Sequence, residues 1–144
     1  MADETNTAPT ALPDRVLVVE DDAILGLSIE QALRDAGIAD VELCTTTDAA
    51  LAAIRRLAPG AIVLDVHLAD RDDGWAIAEM VRALGPHHPN IVFSTGSPDD
   101  IPEDVADFGT VLAKPYDPEE LIAALREQPR RGLLARLRSA LRPE

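Results

Sequence analysis

Short apolar runs alternate with amphipathic segments five times between residues 15 and 127. The runs have the length of strands, and most are uninterrupted, as in strands covered on both faces of a sheet. The segments between them repeat apolar residues every three or four positions, the spacing of a helix that buries one face. The predicted strands are 16–19, 41–44, 61–64, 91–94 and 111–113. This alternation predicts an α/β domain with right-handed crossovers, a doubly wound (βα)5 fold around a parallel five-stranded sheet.

Two segments depart from the regular pattern. Residues 41–44 alternate apolar and polar side chains, which predicts an edge strand with one wetter face. The stretch between Thr95 and Lys114 contains Pro98 and Pro102, several acids and little apolar stripe. It predicts a short or irregular fourth helix, with one or two turns around 102–108.

The ends of the chain differ from the domain predicted over residues 14–127. Residues 1–13 have neither an apolar run nor a basic start, so we expect a flexible leader rather than a signal peptide. Residues 128–144 combine helically spaced leucines with five arginines, which predicts a basic amphipathic C-terminal helix. That helix would dock on the domain, or contact an acidic partner, a second copy of the chain or anionic lipid.

Composition narrows the classes of function. The 144 residues carry a formal charge of −13, and the local +4 of the tail leaves −17 for the rest. Such a surface repels phosphate backbones, so we expect no nucleic-acid binding. No stretch approaches the roughly 18 apolar residues of a membrane span, and we expect no membrane association of the domain. Cys44 is the only cysteine, which fits a reducing compartment and a cytoplasmic location.

Polar residues follow four of the predicted strands. An acidic triplet, Glu20 to Asp22, follows the first strand, and Asp65, Thr95 and Lys114 follow the third, fourth and fifth. The carboxyl ends of parallel strands share one rim, so these side chains should meet there. Carboxylate oxygens suit Mg²⁺, which takes one or two carboxylates together with water and phosphate oxygens.

Each of these residues also has a purely structural explanation. Asp22 would cap the next helix, and Asp65 and Thr95 would end their strands. Lys114 is the only lysine among thirteen basic residues, which reflects either a bias toward arginine or a need for a compact ammonium. The joint occurrence of the four features favours a phosphoryl-binding site.

The chain resembles the response-regulator receiver domains of two-component signalling. The matching motifs are VLVVEDD (16–22), IVLDVHL (62–68), Asp-Gly (73–74), Thr95-Gly96 and Lys114-Pro115. The resemblance implies the strand order 2-1-3-4-5. It also implies that Asp65 is the phosphoacceptor.

The resemblance further implies a metal site and a phosphoryl site. Mg²⁺ would be bound by Asp21 and Asp65 directly, by Glu20 largely through water, and by the backbone carbonyl of His67. The phosphoryl oxygens would be bound by Thr95 and Lys114.

Some positions point to a subgroup of receivers. Phe93-Ser94-Thr95-Gly96 is similar to a Phe-Ala-Thr-Gly motif found in stand-alone regulators that pair with histidine kinases of the HWE type. Val111 stands where many receivers carry a switch aromatic. We expect Gly96 and Tyr116 to take part in the switch instead.

The implied function is that of a single-domain response regulator. It would accept a phosphoryl group from a histidine kinase or phosphotransfer protein, and signal through protein contacts or act as a phosphate sink. We expect no enzymatic activity other than self-catalysed, Mg²⁺-dependent phosphotransfer and autodephosphorylation. The alternatives are a receiver that docks without phosphorylation and a haloacid-dehalogenase-type phosphatase. The latter requires an acid at the position of His67.

Overall fold

The computed structural model describes residues 11–65, 75–85, 88–107 and 109–126 of the chain. Every predicted strand is present in this part of the chain, and the observed bounds extend the predicted ones by a residue or two. The strands are β1 (Arg15–Val19), β2 (Asp40–Cys44), β3 (Ala61–Asp65), β4 (Asn90–Thr95) and β5 (Gly109–Ala113).

Helices connect the strands. A 3₁₀ turn at Pro98–Asp100 precedes the fourth of them. The helices are α1 (Ala23–Asp35), α2 (Thr47–Leu57), α3 (Trp75–Ala83), α4 (Glu103–Ala106) and α5 (Pro118–Arg126).

The strands form one parallel sheet in the order β2-β1-β3-β4-β5. This confirms the predicted doubly wound (βα)5 fold. Val19 pairs with Leu64, and Asp65 pairs with Ser94, so the ends of the central strands lie in one row. The polar residues that follow these strands therefore share one rim of the sheet.

The sheet is covered on both faces. One apolar cluster joins the sheet to α1 and α5, with Ile29, Leu33 and Leu121 buried in it. The other joins the sheet to α2, α3 and α4, with Ile54, Ile77 and Val105 buried in it. Because both faces of β1, β3 and β4 are covered, these strands are buried at every position except Arg15, and each contains an uninterrupted run of at least three apolar residues.

β2 and β5 are the two edge strands of the sheet. β2 is an edge strand, as its alternation predicts, and its half-buried Glu42 pairs with Arg56 of α2 at 2.8 Å. β5 is the other edge strand, as the strand order 2-1-3-4-5 implies. β5 is half-buried along most of its length, because it has a neighbour on one side only and the adjacent α4 is a single turn.

The short fourth helix is confirmed. α4 spans four residues, and Pro102 stands at its N-cap position. Its attachment to the sheet rests on the buried side chains of Ile101 and Val105. With so little buried surface, this connection has few interactions to oppose its chain entropy.

The boundaries of the domain are only partly within the described residues. Leu12, which lies inside the predicted leader, packs against the cluster of α1 and α5. Residues 1–10 and the predicted tail at 128–144 lie outside the described residues, so both boundaries stay predictions. Among the helices described, none has the length and apolarity needed to cross a membrane.

Candidate functional site

An acidic cluster lies at the carboxyl end of the sheet. It consists of Glu20 and Asp21, directly after β1, and Asp65, the last residue of β3. Glu20 and Asp65 are 2% and 5% exposed, whereas Asp21 is exposed. Each of the three offers a carboxylate oxygen within 4.8 Å of the other two. The structure thus brings together the three carboxylates that the resemblance implied for a metal site.

Asp22 has a different role from its two neighbours. Its Oδ1 accepts hydrogen bonds from the amides of Ile24 at 3.0 Å and Leu25 at 3.1 Å, so it caps α1. Its own amide donates to Glu20 Oε2 at 3.2 Å. The acidic triplet is therefore divided between a helix cap and the cluster.

Lys114 extends into the acidic cluster from the residue after β5. Its Nζ lies 3.1 Å from Glu20 Oε1 and 3.9 Å from Asp65 Oδ2. Its backbone amide donates to the carbonyl of Thr95 at 2.8 Å, which continues the β4–β5 pairing beyond the end of the strand. A single ammonium therefore faces the predicted phosphoacceptor and one further carboxylate.

The electrostatics of Glu20 show that the cluster suits a cation. The pKa of Glu20 is raised to about 7, first by burial and then by the hydrogen bond and the negative charge of Asp65. The amide of Asp22 and the ammonium of Lys114 lower it, without cancelling the effect. A divalent cation would relieve this crowding of negative charge, and the donors are hard oxygens. Glu20, Asp21 and Asp65 fit Mg²⁺ on both grounds.

Thr95 and Gly96 occupy the end of β4. The Thr95 side chain is buried, and its Oγ1 accepts a hydrogen bond from the amide of Ser97 at 2.9 Å. The hydroxyl hydrogen can still be donated, because the amide uses only a lone pair. Gly96 is exposed, and a side chain there would meet nothing within 4 Å. Its predicted part in a switch stays a prediction.

Tyr116 is hydrogen-bonded to a residue that the sequence did not single out. Its phenol oxygen lies 2.8 Å from Ser94 Oγ, and its ring packs in the cluster of α1 and α5. Burial raises the pKa of Tyr116, so the phenol stays protonated at neutral pH. Two features of the sequence could have identified Ser94: it is the one polar residue of the predicted strand 91–94, and it stands at the alanine position of the Phe-Ala-Thr-Gly motif.

One predicted ligand lies outside the described residues. His67, whose backbone carbonyl was expected to bind Mg²⁺, falls in the segment 66–74. The other predicted residues are described: Glu20, Asp21, Asp65 and Lys114 come together. Thr95, Gly96 and Tyr116 lie at the same rim.

The sequence matches the response regulator receiver domain family over residues 16–126. The match runs from β1 to the end of α5 and includes every residue of the rim described above. The chain belongs to the response regulator receiver domain family. Receivers of this family act in two-component signalling, where they interact with histidine kinases or phosphotransfer proteins and bind Mg²⁺ at an acidic pocket.

Relatives of this receiver include both regulators and isolated domains. It is 29% identical over 127 residues to the transcriptional regulatory protein PdtaR of Mycobacterium tuberculosis, an alignment that covers 87% of this chain and 61% of PdtaR. The chain thus spans less than two thirds of that curated relative.

Solved structures support the fold. A CheY-like receiver domain from Methylobacillus flagellatus is 24% identical, with a TM-score of 0.65, and the match covers 90% of this chain and 98% of that one. The response regulator PhyR from Brucella abortus is 23% identical, with the same TM-score, over 92% of this chain and 52% of PhyR. At these identities the two structures show that the receiver fold is shared.

Proposed function

We propose that this protein is a response regulator that accepts a phosphoryl group onto Asp65 with the help of Mg²⁺. The observation that carries the proposal is the contact geometry of Lys114. Its ammonium lies 3.9 Å from Asp65 Oδ2 and 3.1 Å from Glu20 Oε1, at the end of a strand and beside a third carboxylate. An anionic phosphoryl group on Asp65 would be stabilised by this ammonium and by a cation held on the carboxylates.

The transfer is a displacement at phosphorus. A carboxylate oxygen of Asp65 forms a bond to the phosphorus of a phosphohistidine, the P–N bond breaks, and the imidazole leaves with the electron pair and takes up a proton. Mg²⁺ held by Glu20, Asp21 and Asp65 would supply positive charge that stabilises the anionic phosphoryl group. Lys114 supplies a second charge, and Thr95 a hydroxyl donor. Autodephosphorylation is the attack of water on the same phosphorus, which returns the Asp65 carboxylate and releases inorganic phosphate.

We infer that the phosphoryl donor is a histidine kinase or a phosphotransfer protein, and that the kinase is of the HWE type. The support for the kinase class is the Phe93–Gly96 motif together with the single-turn α4. The phosphorylated receiver would act as a stand-alone regulator, either through protein contacts or as a phosphate sink. Phosphotransfer profiling against the kinases of the host would identify the donor. Back-transfer to the kinase would distinguish a sink from an activator.

The phosphoacceptor is tested with a small donor. Mg²⁺ and acetyl phosphate should add one acid-stable, base-labile phosphoryl group to the wild-type protein, and EDTA should prevent it. Asp65→Asn should abolish labelling. Asp22→Asn is the matched control, because it removes a carboxylate from the same rim while asparagine still caps α1. Undiminished labelling of Asp65→Asn would refute the assignment.

A further inference from the structure

Lys114 lies in a segment that is attached to β4 at two points. Its backbone amide donates to the Thr95 carbonyl at 2.8 Å. Two residues later the Tyr116 hydroxyl lies 2.8 Å from Ser94 Oγ. The attachment points on β4 are consecutive residues, the backbone carbonyl of Thr95 and the side-chain hydroxyl of Ser94. The segment is therefore tied to β4 once through its backbone and once through a side chain.

The second attachment is well placed to be rigid. Ser94 is 0% exposed, and its backbone pairs with Asp65 on one side and Leu112 on the other. The Tyr116 ring is packed in the cluster of α1 and α5. Hence one hydroxyl is carried by an interior strand, on the residue that pairs with the phosphoacceptor, and the other is carried by the loop that bears Lys114.

We propose that Ser94 and Tyr116 are positioning residues that hold the Lys114 ammonium over Asp65. The inference rests on the proposed function of Asp65. Lysine has a long, flexible side chain, so its charge is useful for phosphoryl transfer only if the backbone that carries it is held in place. The backbone bond to Thr95 restrains one side of Lys114, and the hydroxyl pair restrains the other. Loss of the pair would let residues 114–116 shift and would spread the ammonium over several positions.

This role is distinct from general stabilisation of the fold. Tyr116→Phe keeps the ring and its packing and removes a single oxygen. Ser94→Ala removes the opposite oxygen. Ile122→Val is the matched control, because it removes a methylene from the same apolar cluster and leaves the hydroxyl pair intact. Urea denaturation of all three shows how much stability each variant has lost.

Because Lys114 is the only lysine, its side chain can be observed alone. Protein labelled with ¹³C-lysine gives a single Cε signal, and its NMR relaxation reports the order of the ammonium without any phosphorylation. We expect this order to fall clearly in Tyr116→Phe and Ser94→Ala and to stay at the wild-type value in Ile122→Val. Unchanged order in both hydroxyl variants would overturn the proposal, whatever the outcome for Asp65.

Kinetics then connect the position of Lys114 to the reaction. We expect Tyr116→Phe to slow labelling by Mg²⁺ and acetyl phosphate about five- to twentyfold. In a Lys114→Ala background the same substitution should change the rate less than twofold, since no ammonium remains to be positioned. Equal slowing in both backgrounds would mean a structural role and would overturn the proposal. Failure of the wild-type protein to be labelled on Asp65 would refute the proposed function instead.

Discussion

At the scale of single residues, Glu20 determines how the site responds to protons. It is buried beside Asp65 and Lys114, and its pKa is raised from 4.5 to about 7. The folded protein therefore holds this carboxyl in its protonated form more strongly than the unfolded chain does. The stabilisation is fully present below about pH 4.5 and is lost as the pH rises through about 7.

We predict that Glu20→Gln makes the free energy of unfolding of the metal-free protein less dependent on pH. In EDTA, the free energy of unfolding of the wild type should fall between pH 5 and pH 8 by on the order of 2 kcal/mol more than that of the variant. Urea denaturation at the two pH values measures this difference. Glu79→Gln, an exposed substitution on α3, is the control and should behave like the wild type.

The same proton competes with Mg²⁺, so the concentration of Mg²⁺ needed for half-saturation should fall as the pH rises through about 7. Titrations followed by amide shifts at pH 6 and pH 8 provide the measurement. Equal half-saturation at both pH values would contradict the assigned ionisation of Glu20.

At the scale of elements, the pairing of β4 with β5 decides where Lys114 lies. Gly109 starts β5 opposite Ile91, and a Cβ on Gly109 would fall on the Ile91 carbonyl. Backbone of a central strand cannot move aside as a side chain can. The glycine is thus a steric requirement of the strand pair, and through that pair a requirement for the position of Lys114.

We predict that Gly109→Ala lowers the free energy of unfolding by about 3 kcal/mol, because the added methyl group forces β5 away from β4. Gly26→Ala is the matched control. There a Cβ would meet Leu43 Cδ1 at 2.9 Å, the far end of a flexible side chain. Alanine also gains about 1 kcal/mol of helix propensity over glycine in α1.

Urea denaturation of the two glycine variants separates these cases. Gly26→Ala should stay within about 1 kcal/mol of the wild type. If both variants lost the same stability, the close approach of β5 to β4 would not be the cause.

At the scale of the whole molecule, apolar side chains are exposed beside the reactive rim. Ile24 and Leu27 of α1 are 82% and 59% exposed, and α1 begins directly after the acidic cluster. Exposed apolar side chains next to a reactive site are suited to a protein partner that must bring its own phosphohistidine to that site. Leu84 is 51% exposed but follows the far end of α3, on the opposite face of the sheet.

We predict that the double variant Ile24→Ala, Leu27→Ala slows phosphotransfer from the cognate kinase or phosphotransfer protein at least tenfold. Labelling by acetyl phosphate should stay within twofold of the wild type, because a small donor needs no docking surface. Leu84→Ala removes a similar exposed side chain elsewhere and should affect neither reaction. Equal slowing with both donors would show damage to the site rather than loss of a contact.

The sequence alone determined the order of the elements and the chemistry of the rim. Strand and helix periodicities are local properties, and the parallel sheet follows from their alternation. Acids follow the first predicted strand, Asp65 follows the third and Lys114 follows the fifth. Their meeting at one rim follows from the parallel sheet alone. The prolines before α4 likewise predicted a shortened helix.

Only the tertiary structure decided what depends on distances between residues far apart in the chain. The bond between Ser94 and Tyr116 joins positions 22 residues apart. The raised pKa of Glu20 depends on its burial beside Asp65 and Lys114. The half-exposure of β5 depends on how little of this strand α4 covers. Sequence patterns indicate which residues face a core or a rim. Hydrogen bonds, steric clashes and pKa shifts require the atoms to be placed, because each varies steeply over an ångström or less.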